Sequence, residues 1–510
     1  MVATIPNFSS SYWIDSIKAQ EYPVLENDIA VDVLVIGAGI TGITTAYLLQ
    51  KEGLKVAVVD SDKILSGTTG YTTAKITIQH GLIYDKLKLH FGEEKARIYG
   101  EANKAGLQLI KDLINEHKID CDFVAQNSYV YTQSESYVKA IEDEVKTAQE
   151  LGLNAQYLDT VPLPFKVQAA ICFQDQAMFH PRKYLIALCN LLNSKEQCIY
   201  ESTRALNIEH SPVGNKSLVT TLEDGIKVHS NYAVIASHFP FYDGYGMYFA
   251  RMFSSRSYVL AVKTKKNFEE GMYISAEDPK RSLRYTPING EKIVLVSGEH
   301  HITGQDSNTM VHYEALRDFV EQNYGINEIL YRWSTQDLTT LDDVPYIGYL
   351  AQGKPNVFVA TGFKKWGMTT GSMAAILIRD MIVKKESPWI ELFTPSRFVA
   401  DPSLRNLVKE GAMIAKEFIK GKLKAVPETS EDLAPDTAKI INSEGNKIGA
   451  YKDQQGCVHF VDTTCRHMGC EVQWNNAERT WDCPCHGSRY DIQGNVIEGP
   501  ALKPLKKINK

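Results

Sequence analysis

The sequence predicts an α/β domain built on a parallel sheet, an α+β domain inserted into it, and a small all-β domain at the C-terminus. Three observations predict this. A strand–glycine turn–helix–strand run fills residues 31–60, and a second strand–turn–helix run returns near residue 340. Beyond residue 430, short strands alternate with turns around a dense run of cysteine and histidine. At 510 residues the chain is also longer than one core sustains. The expected division gives 28–385 to the two interleaved domains, with nucleotide-binding segments at about 28–85, 165–240 and 340–385 and the inserted domain at about 86–164 and 241–339. A helix and linker follow at 386–430, and the β domain spans 431–510.

Composition narrows the class. Hydrophobic content of 44% and charged content of 23% are globular values. A net charge of −6 without a long basic stripe argues against nucleic acid as a partner, and the basic tail LKPLKKINK reads as a solvated end. MVATIPNFSSSYWIDSIKAQ lacks the basic start and apolar core of a secretory signal, and no run reaches the roughly 18–20 apolar residues of a membrane span. A cytoplasmic location is therefore expected, where clustered cysteines are metal ligands more often than structural disulfides. Cys121, Cys172, Cys189 and Cys198 stand singly among apolar neighbours and read as buried small hydrophobes.

VDVLVIGAGITGITTAYLLQKEGLKVAVVD justifies the first element. VDVLVIG is continuous in apolar residues, as a buried parallel strand is. Gly37 permits the tight turn, Gly39 lets a pyrophosphate approach the backbone, and Gly42 lets helix pack on strand. The helix start supplies free N–H groups and a positive dipole end to phosphates. Asp60, closing the second strand, is placed to accept hydrogen bonds from an adenosine ribose. Two stretches favour FAD over NAD. SGTTGYTTAKIT (66–77) offers the small hydroxyl residues Thr68, Thr69, Thr72 and Thr73 to a long flavin tail. Near residue 360, NVFVATG runs through Gly362 and Gly367 into a helix starting with Met368 and Thr369, whose dipole would meet the flavin's pyrimidine end.

Residues 31–80 and 341–382 together resemble the D-amino-acid-oxidase type of FAD-dependent oxidoreductase, the class of glycine and sarcosine oxidases. FHPRKYLIALCNLL (179–192), IYESTRALNIE and YAVIAS (232–237) resemble that family's central elements. The resemblance implies a Rossmann-like FAD domain, discontinuous in sequence, with a substrate domain on a mixed sheet. It also implies oxidation of a C–H beside an amine nitrogen by hydride transfer to the flavin. Some relatives attach FAD through a histidine in the segment matching GTTGYTTA. Tyr71 stands there in this chain, so FAD is expected to be non-covalent.

In the inserted domain, amphipathic helices flank the strand DFVAQNSYVYT, and the runs SRSYVLAVKT, RSLRYTPI and KIVLVSGEH read as a sheet roofing the flavin. Arg256, Tyr258, Arg284 and Tyr285 are candidates to line it, an arginine binding a substrate carboxylate bidentately. Surface pairing explains each equally well taken singly. Lys364, Lys365 and Trp366 lie in the turn before Gly367, and Lys365 is the candidate to face the flavin; a solvated loop is the alternative. The pair His300 and His301 lacks an acidic residue at ligand spacing, so no metal site is expected there.

PSLRNLVKEGAMIAKEFIKGKL (402–423) is an amphipathic helix, and VPETSEDLAPDT (426–437) is a linker. Within TTCRHMGCEVQWNNAERTWDCPCHGS (463–488), a zinc knuckle, a redox centre and a disulfide-stapled loop are all conceivable. Zinc favours two C-x-x-C or C-x-x-H pairs, whereas the first pair here is C-x-H and two further cysteines remain. A [2Fe–2S] cluster with two histidines replacing two cysteines on one iron fits better. The pattern resembles the Rieske proteins of cytochrome bc-type complexes over about residues 431–505. That resemblance implies Cys465 and Cys483 on one iron, His467 and His486 on the other and exposed one, and a disulfide between Cys470 and Cys485. It places the Ser488 and Tyr490 hydroxyls on the cluster sulfurs, which raises the potential within the range of about −150 to +300 mV. GNVIEGPA (494–501) matches the proline loop over the cluster.

Together these readings describe an FAD-dependent oxidoreductase. It would oxidise a small substrate, an amine or amino acid, and pass single electrons through the cluster to an unidentified protein or quinone. The same chain run in reverse as a reductase, or a redox sensor without turnover, are the alternatives. Oxygenase chemistry is disfavoured because no D/E-x-x-H-x₃₋₄-H motif is present.

Overall fold

A computed structural model describes all residues except 1–2, 195, 212–215, 425, 428–432, 444 and 509–510, so part of the expected linker lies outside the described residues. The nucleotide signal forms the centre of a six-stranded sheet. Its strands run in the order Tyr346–Tyr349, Val357–Thr361, Tyr232–Ile235, Val33–Ile36, Val56–Val59 and Ile199–Tyr200. All neighbours are parallel except the outermost pair, where Tyr346 opposes Thr361. The continuous apolar run in Val33–Ile36 is explained by burial on both faces. Val33 and Val35 pack with the helices Ile40–Lys51 and Gly367–Val383, while Leu34 and Ile36 pack on a four-stranded sheet through Ala205, Ile208 and Val228. A Cβ on Gly42 would lie 1.8 Å from the Gly37 carbonyl oxygen, so glycine is what lets helix and strand close up.

A nine-stranded sheet holds the inserted region. Ile326–Thr340 forms one edge, followed by Met252–Thr264, Glu291–Ile302, Arg281–Ile288, Met272–Ser275, Val124–Thr132, Ala169–Met178 and Lys75–Ile76, and Ala155–Leu158 pairs off this path with Ala169–Met178. The strand Ala169–Met178 falls within a stretch expected in the nucleotide domain, yet it pairs antiparallel with Val124–Thr132 in this sheet. A run of apolar residues signals burial but carries no information about its hydrogen-bonding partner.

The C-terminal part is all β. Thr437–Ser443, Asn446–Lys452 and Val458–Asp462 make one antiparallel sheet, and Gln473–Asn475, Thr480–Asp482, Arg489–Tyr490 and Val496–Glu498 make another. It is not held by its tether alone. Thr309 Oγ1 donates to Asn475 Oδ1 at 2.6 Å, Tyr313 donates to Glu478 at 2.8 Å, and Gln336 Nε2 donates to the Gly487 carbonyl at 3.0 Å. The β domain is thus docked on the edge of the large sheet. A helix, Ala400–Leu423, kinked at Asp401, runs between the two regions. No helix among the described residues is long and apolar enough to cross a membrane.

Candidate functional site

The carboxyl ends of the parallel strands open into a cavity of about 600 Å³, where open α/β sheets bind ligands. Gly37, Gly39 and Asp60 line its base, with Thr68, Thr69, Thr72 and Thr73 along one side and Gly367 and Met368 opposite. Asp60 Oδ2 accepts from the Ala38 N–H at 2.7 Å, and burial pushes its carboxyl up to about 6. Tyr71 also lines the wall. The cavity fits a large polar ligand on its own chemistry. Thr68 Oγ1, His238 Nε2, Arg256 Nε and Nη1, and Thr335 Oγ1 are buried in its lining without hydrogen-bond partners, and such groups are costly unless a ligand or water satisfies them.

The long strands Met252–Thr264 and Ile326–Thr340 form one wall of this cavity, and the β domain closes part of another. Along Met252–Thr264 and Ile326–Thr340, Ser257, Val259, Thr335 and Asp337 line the cavity. Lys365 Nζ donates to Asp337 Oδ2 at 3.0 Å and to Ser257 Oγ, so it is fixed in the cavity wall. Residues one position away point through the sheet, by strand alternation. There Gln336 holds Gly487, and Ser254 lies so close that a Cβ on Gly487 would be 2.1 Å from its Oγ. Arg256 faces Glu498 at 3.6 Å, and Glu498 also accepts from Arg489 at 2.9 Å. Arg489, Glu498 and Pro500 of the β domain therefore contribute to the cavity wall.

On the β domain, two loops bring the clustered residues together. Cys470 and Cys485 form a disulfide. The Cys465 thiol is held well below the ordinary thiol range, first by a hydrogen bond with Cys483 and further by Tyr490 and Ser488. The Tyr490 hydroxyl lies 3.2 Å from Cys465 Sγ, and Ser488 Oγ accepts from the Ala501 N–H at 3.0 Å. The rings of His467 and His486 meet edge-on, 4.9 Å between centroids, and His467 Nδ1 is buried without a partner. Two thiols and two imidazoles, one with an unsatisfied nitrogen, fit a mixed sulfur–nitrogen metal cluster.

Several sequence expectations are corrected here. The histidine pair is less open than expected: His486 is 8% exposed while His467 is half-buried, and Phe249 packs against both rings at 5.8 Å. Tyr258 points away from the cavity, stacked on His312 with its hydroxyl 2.9 Å from His301, because strand alternation opposes it to Ser257 and Val259. Arg284 lies outside the lining, donating to the Thr73 and Tyr285 carbonyls beneath Trp13. Tyr285 packs with Phe268, also outside it. Gly362 sits against Thr340, and Thr369 Oγ1 accepts the Thr77 N–H, so neither reaches the cavity. Trp366 stacks on His80 outside the lining, whereas Lys364, paired with Asp343, does line the cavity. His301 does meet an acid, because folding brings Asp306 and His312 to it. The two imidazoles stack at 4.6 Å with planes 5° apart, so their in-plane lone pairs cannot converge on one ion.

His238 was missed by the sequence reading. It follows the third parallel strand with a φ of 63°, and it lines the cavity next to Gln336. Its place after Tyr232–Ile235, at a carboxyl strand end, is the signal that could have found it.

Comparison with known proteins bears on both sites. Residues 32–381 match the family model described as FAD dependent oxidoreductase, and residues 424–509 match the Rieske [2Fe-2S] domain. The Rieske 2Fe-2S iron-sulfur protein YhfW of Bacillus subtilis (strain 168) is 47% identical over 98% of this chain and 97% of its own length. Gamma-glutamylputrescine oxidoreductase of Escherichia coli (strain K12) is 22% identical over 73% of this chain and 88% of its own. The fold of glycine oxidase from Geobacillus kaustophilus superposes with a TM-score of 0.61 at 16% identity, covering 72% of this chain and 99% of that one.

Proposed function

The chain belongs to the FAD-dependent oxidoreductase family and carries a Rieske [2Fe-2S] domain at its C-terminal end, and from that premise we propose that it oxidises an amine or amino acid and relays the electrons singly to a separate acceptor. FAD, when bound, supplies a two-electron acceptor, and the [2Fe–2S] cluster supplies a one-electron carrier. Gly37, Gly39, Asp60 and the threonines of 68–73 hold the FAD, without a covalent bond at Tyr71. Cys465, Cys483, His467 and His486 hold the cluster, and Ser488 and Tyr490 donate to its sulfurs.

The observation that carries the relay is the shared sheet edge. Asp337 fixes Lys365 on the cavity side, while the adjacent Gln336 binds Gly487, next to His486, on the other. The loop that carries His486 is packed against a strand that lines the cavity, which supports a relay in the docked arrangement without a domain swing. Within the cavity, Lys365, fixed by Asp337 and Ser257, positions the reacting end of the substrate, whereas Arg256 is held toward Glu498 and Ser334. The amine class is supported by the names of the oxidoreductase and the oxidase to which the chain is similar. We place the protein in the cytoplasm, with its acceptor a protein or a quinone.

The test is anaerobic mixing of holoenzyme with primary, secondary and N-methyl amines, following flavin absorbance and the cluster's EPR signal together. Bleaching of the flavin followed by the Rieske signal is the expected result. If dithionite reduces both centres but no amine reduces either, the amine reading fails.

A further inference from the structure

We propose that the solvent face of the helix Ala400–Leu423 docks the protein on an anionic lipid bilayer, lying in the plane of the interface. Seven of the twenty exposed large apolar side chains among the described residues fall between 398 and 423, about a twentieth of the chain. They include Leu404 at 54%, Val408 at 66%, Ile419 at 56% and Leu423 at 79% exposure. At 3.6 residues per turn these four, with Ala412 and Ala415, fall within roughly 100° of arc, one stripe about 29 Å long, with Lys422, paired to Glu471, at its border. A solvent-facing helix normally reverses this pattern, with the polar side outward.

Charge selects the occupant. Arg405, Lys409, Lys416 and Lys420 fall in the adjoining roughly 60° of arc. Arg405, Lys409 and Lys416 make no ion pair among the described residues, and Lys420 turns to Glu417. The helix's acids face elsewhere. Glu410 and Glu417 lie on the inward side with Ile414, which packs on the β-domain core, and Asp401 sits at the kink beside His90. An apolar stripe bordered by unpaired cations, protruding rather than grooved, matches the acyl boundary and phosphates of an anionic bilayer.

The location adds a consequence. This helix packs beside the short helix Tyr248–Arg251, whose Phe249 touches both His467 and His486. Tyr245 and Met247, which lead into that short helix, are 91% and 55% exposed. On the relay reading, docking here brings the cluster end of the molecule to the bilayer, where a lipid-soluble acceptor is held. The docking itself does not depend on that reading.

The test uses holoenzyme and phosphatidylcholine vesicles with and without phosphatidylglycerol. Co-sedimentation is expected with the anionic vesicles, weakening as salt rises. Leu404→Glu with Ile419→Glu, and separately Lys409→Glu with Lys416→Glu, should each lower the affinity at least about tenfold. A dye on Val408→Cys, in a Cys457→Ser background because Cys457 is exposed, should shift to the blue when anionic vesicles are added. Absence of vesicle binding, or binding untouched by either pair, overturns the proposal. So does a solution dimer that the Leu404→Glu/Ile419→Glu pair dissociates, which would make a second copy the occupant. Because none of these readouts requires substrate, they stand or fall apart from the amine test.

Discussion

Gly487→Ala is the substitution that most directly probes the join between the two redox sites. Gly487 has a φ of +80°, and a Cβ there would lie 2.1 Å from Ser254 Oγ, 2.5 Å from Ser254 Cβ and 3.2 Å from Gln336 Nε2. The left-handed backbone costs alanine about 1–2 kcal/mol, and overpacking a filled site adds about 1–3 kcal/mol. A total of about 2–5 kcal/mol, borne by the contact between the β domain and the sheet edge, moves the docking equilibrium by about thirty-fold to a few thousand-fold. Ser254→Gly removes both colliding atoms, so the double variant should recover the overpacking part and keep only the backbone strain. The assay is anaerobic photoreduction of the flavin, with cluster reduction followed by absorbance and freeze-quench EPR. Cluster content and the EPR spectrum after full chemical reduction serve as the loading control. The single variant should reduce its flavin normally but pass electrons to the cluster more slowly, and the double variant should approach the parent. Unchanged electron passage in a fully loaded Gly487→Ala protein would refute the argument, as would a double variant as slow as the single.

Three further outcomes follow from named groups. Burial raises Asp60 from 3.8 to about 6, while a ribose hydroxyl is best accepted by the carboxylate. The affinity of the apoprotein for FAD should therefore fall as pH drops below about 6, by at most about tenfold per pH unit, and Asp60→Asn should bind weakly at every pH; fluorescence titration reads both. Ser488→Ala and Tyr490→Phe should each lower the cluster's midpoint potential by about 40 mV, taking about 1 kcal/mol of each hydrogen bond as specific to the added electron, measurable by EPR-monitored redox titration. Burial pulls the His312 imidazole down, but hydrogen bonds to Glu299 and Asp306 outweigh it and leave the group raised above its ordinary 6.5. Its stabilisation is thus complete below the unfolded value and is lost as pH rises through the folded one. Urea midpoints should decline as pH rises above the ordinary value of 6.5 in the parent and flatten in His312→Gln.

The local parts of both sites were legible without coordinates, because their chemistry depends on short-range spacing. Gly37, Gly39 and Asp60 lie within one strand–helix–strand unit, so periodicity and turn chemistry sufficed to group them, and all three line the cavity. Cys465, His467, Cys483 and His486 lie on two loops a few residues wide, and the structure brings them and the disulfide cysteines into one cluster. Spacing gave less help in the sheet that roofs the cavity. Arg256, Tyr258, Arg284 and Tyr285 occupy strands, where the face a residue presents is set by register and by how the sheet sits on its neighbours. Arg256 alone of the four reached the cavity wall.

What the sequence by itself determined is which cofactors the chain is built to hold, since strand, glycine turn, hydroxyl run and Cys/His loops are local patterns with local physics. Only the tertiary structure decided how the two sites face each other. That Asp337 and Gln336 point to opposite faces of one edge strand, that Phe249 covers the histidine pair, and that Glu498 reaches across to Arg256 depend on contacts between residues tens to hundreds of positions apart. Such contacts are fixed by the packing of whole layers, which a one-dimensional pattern does not encode.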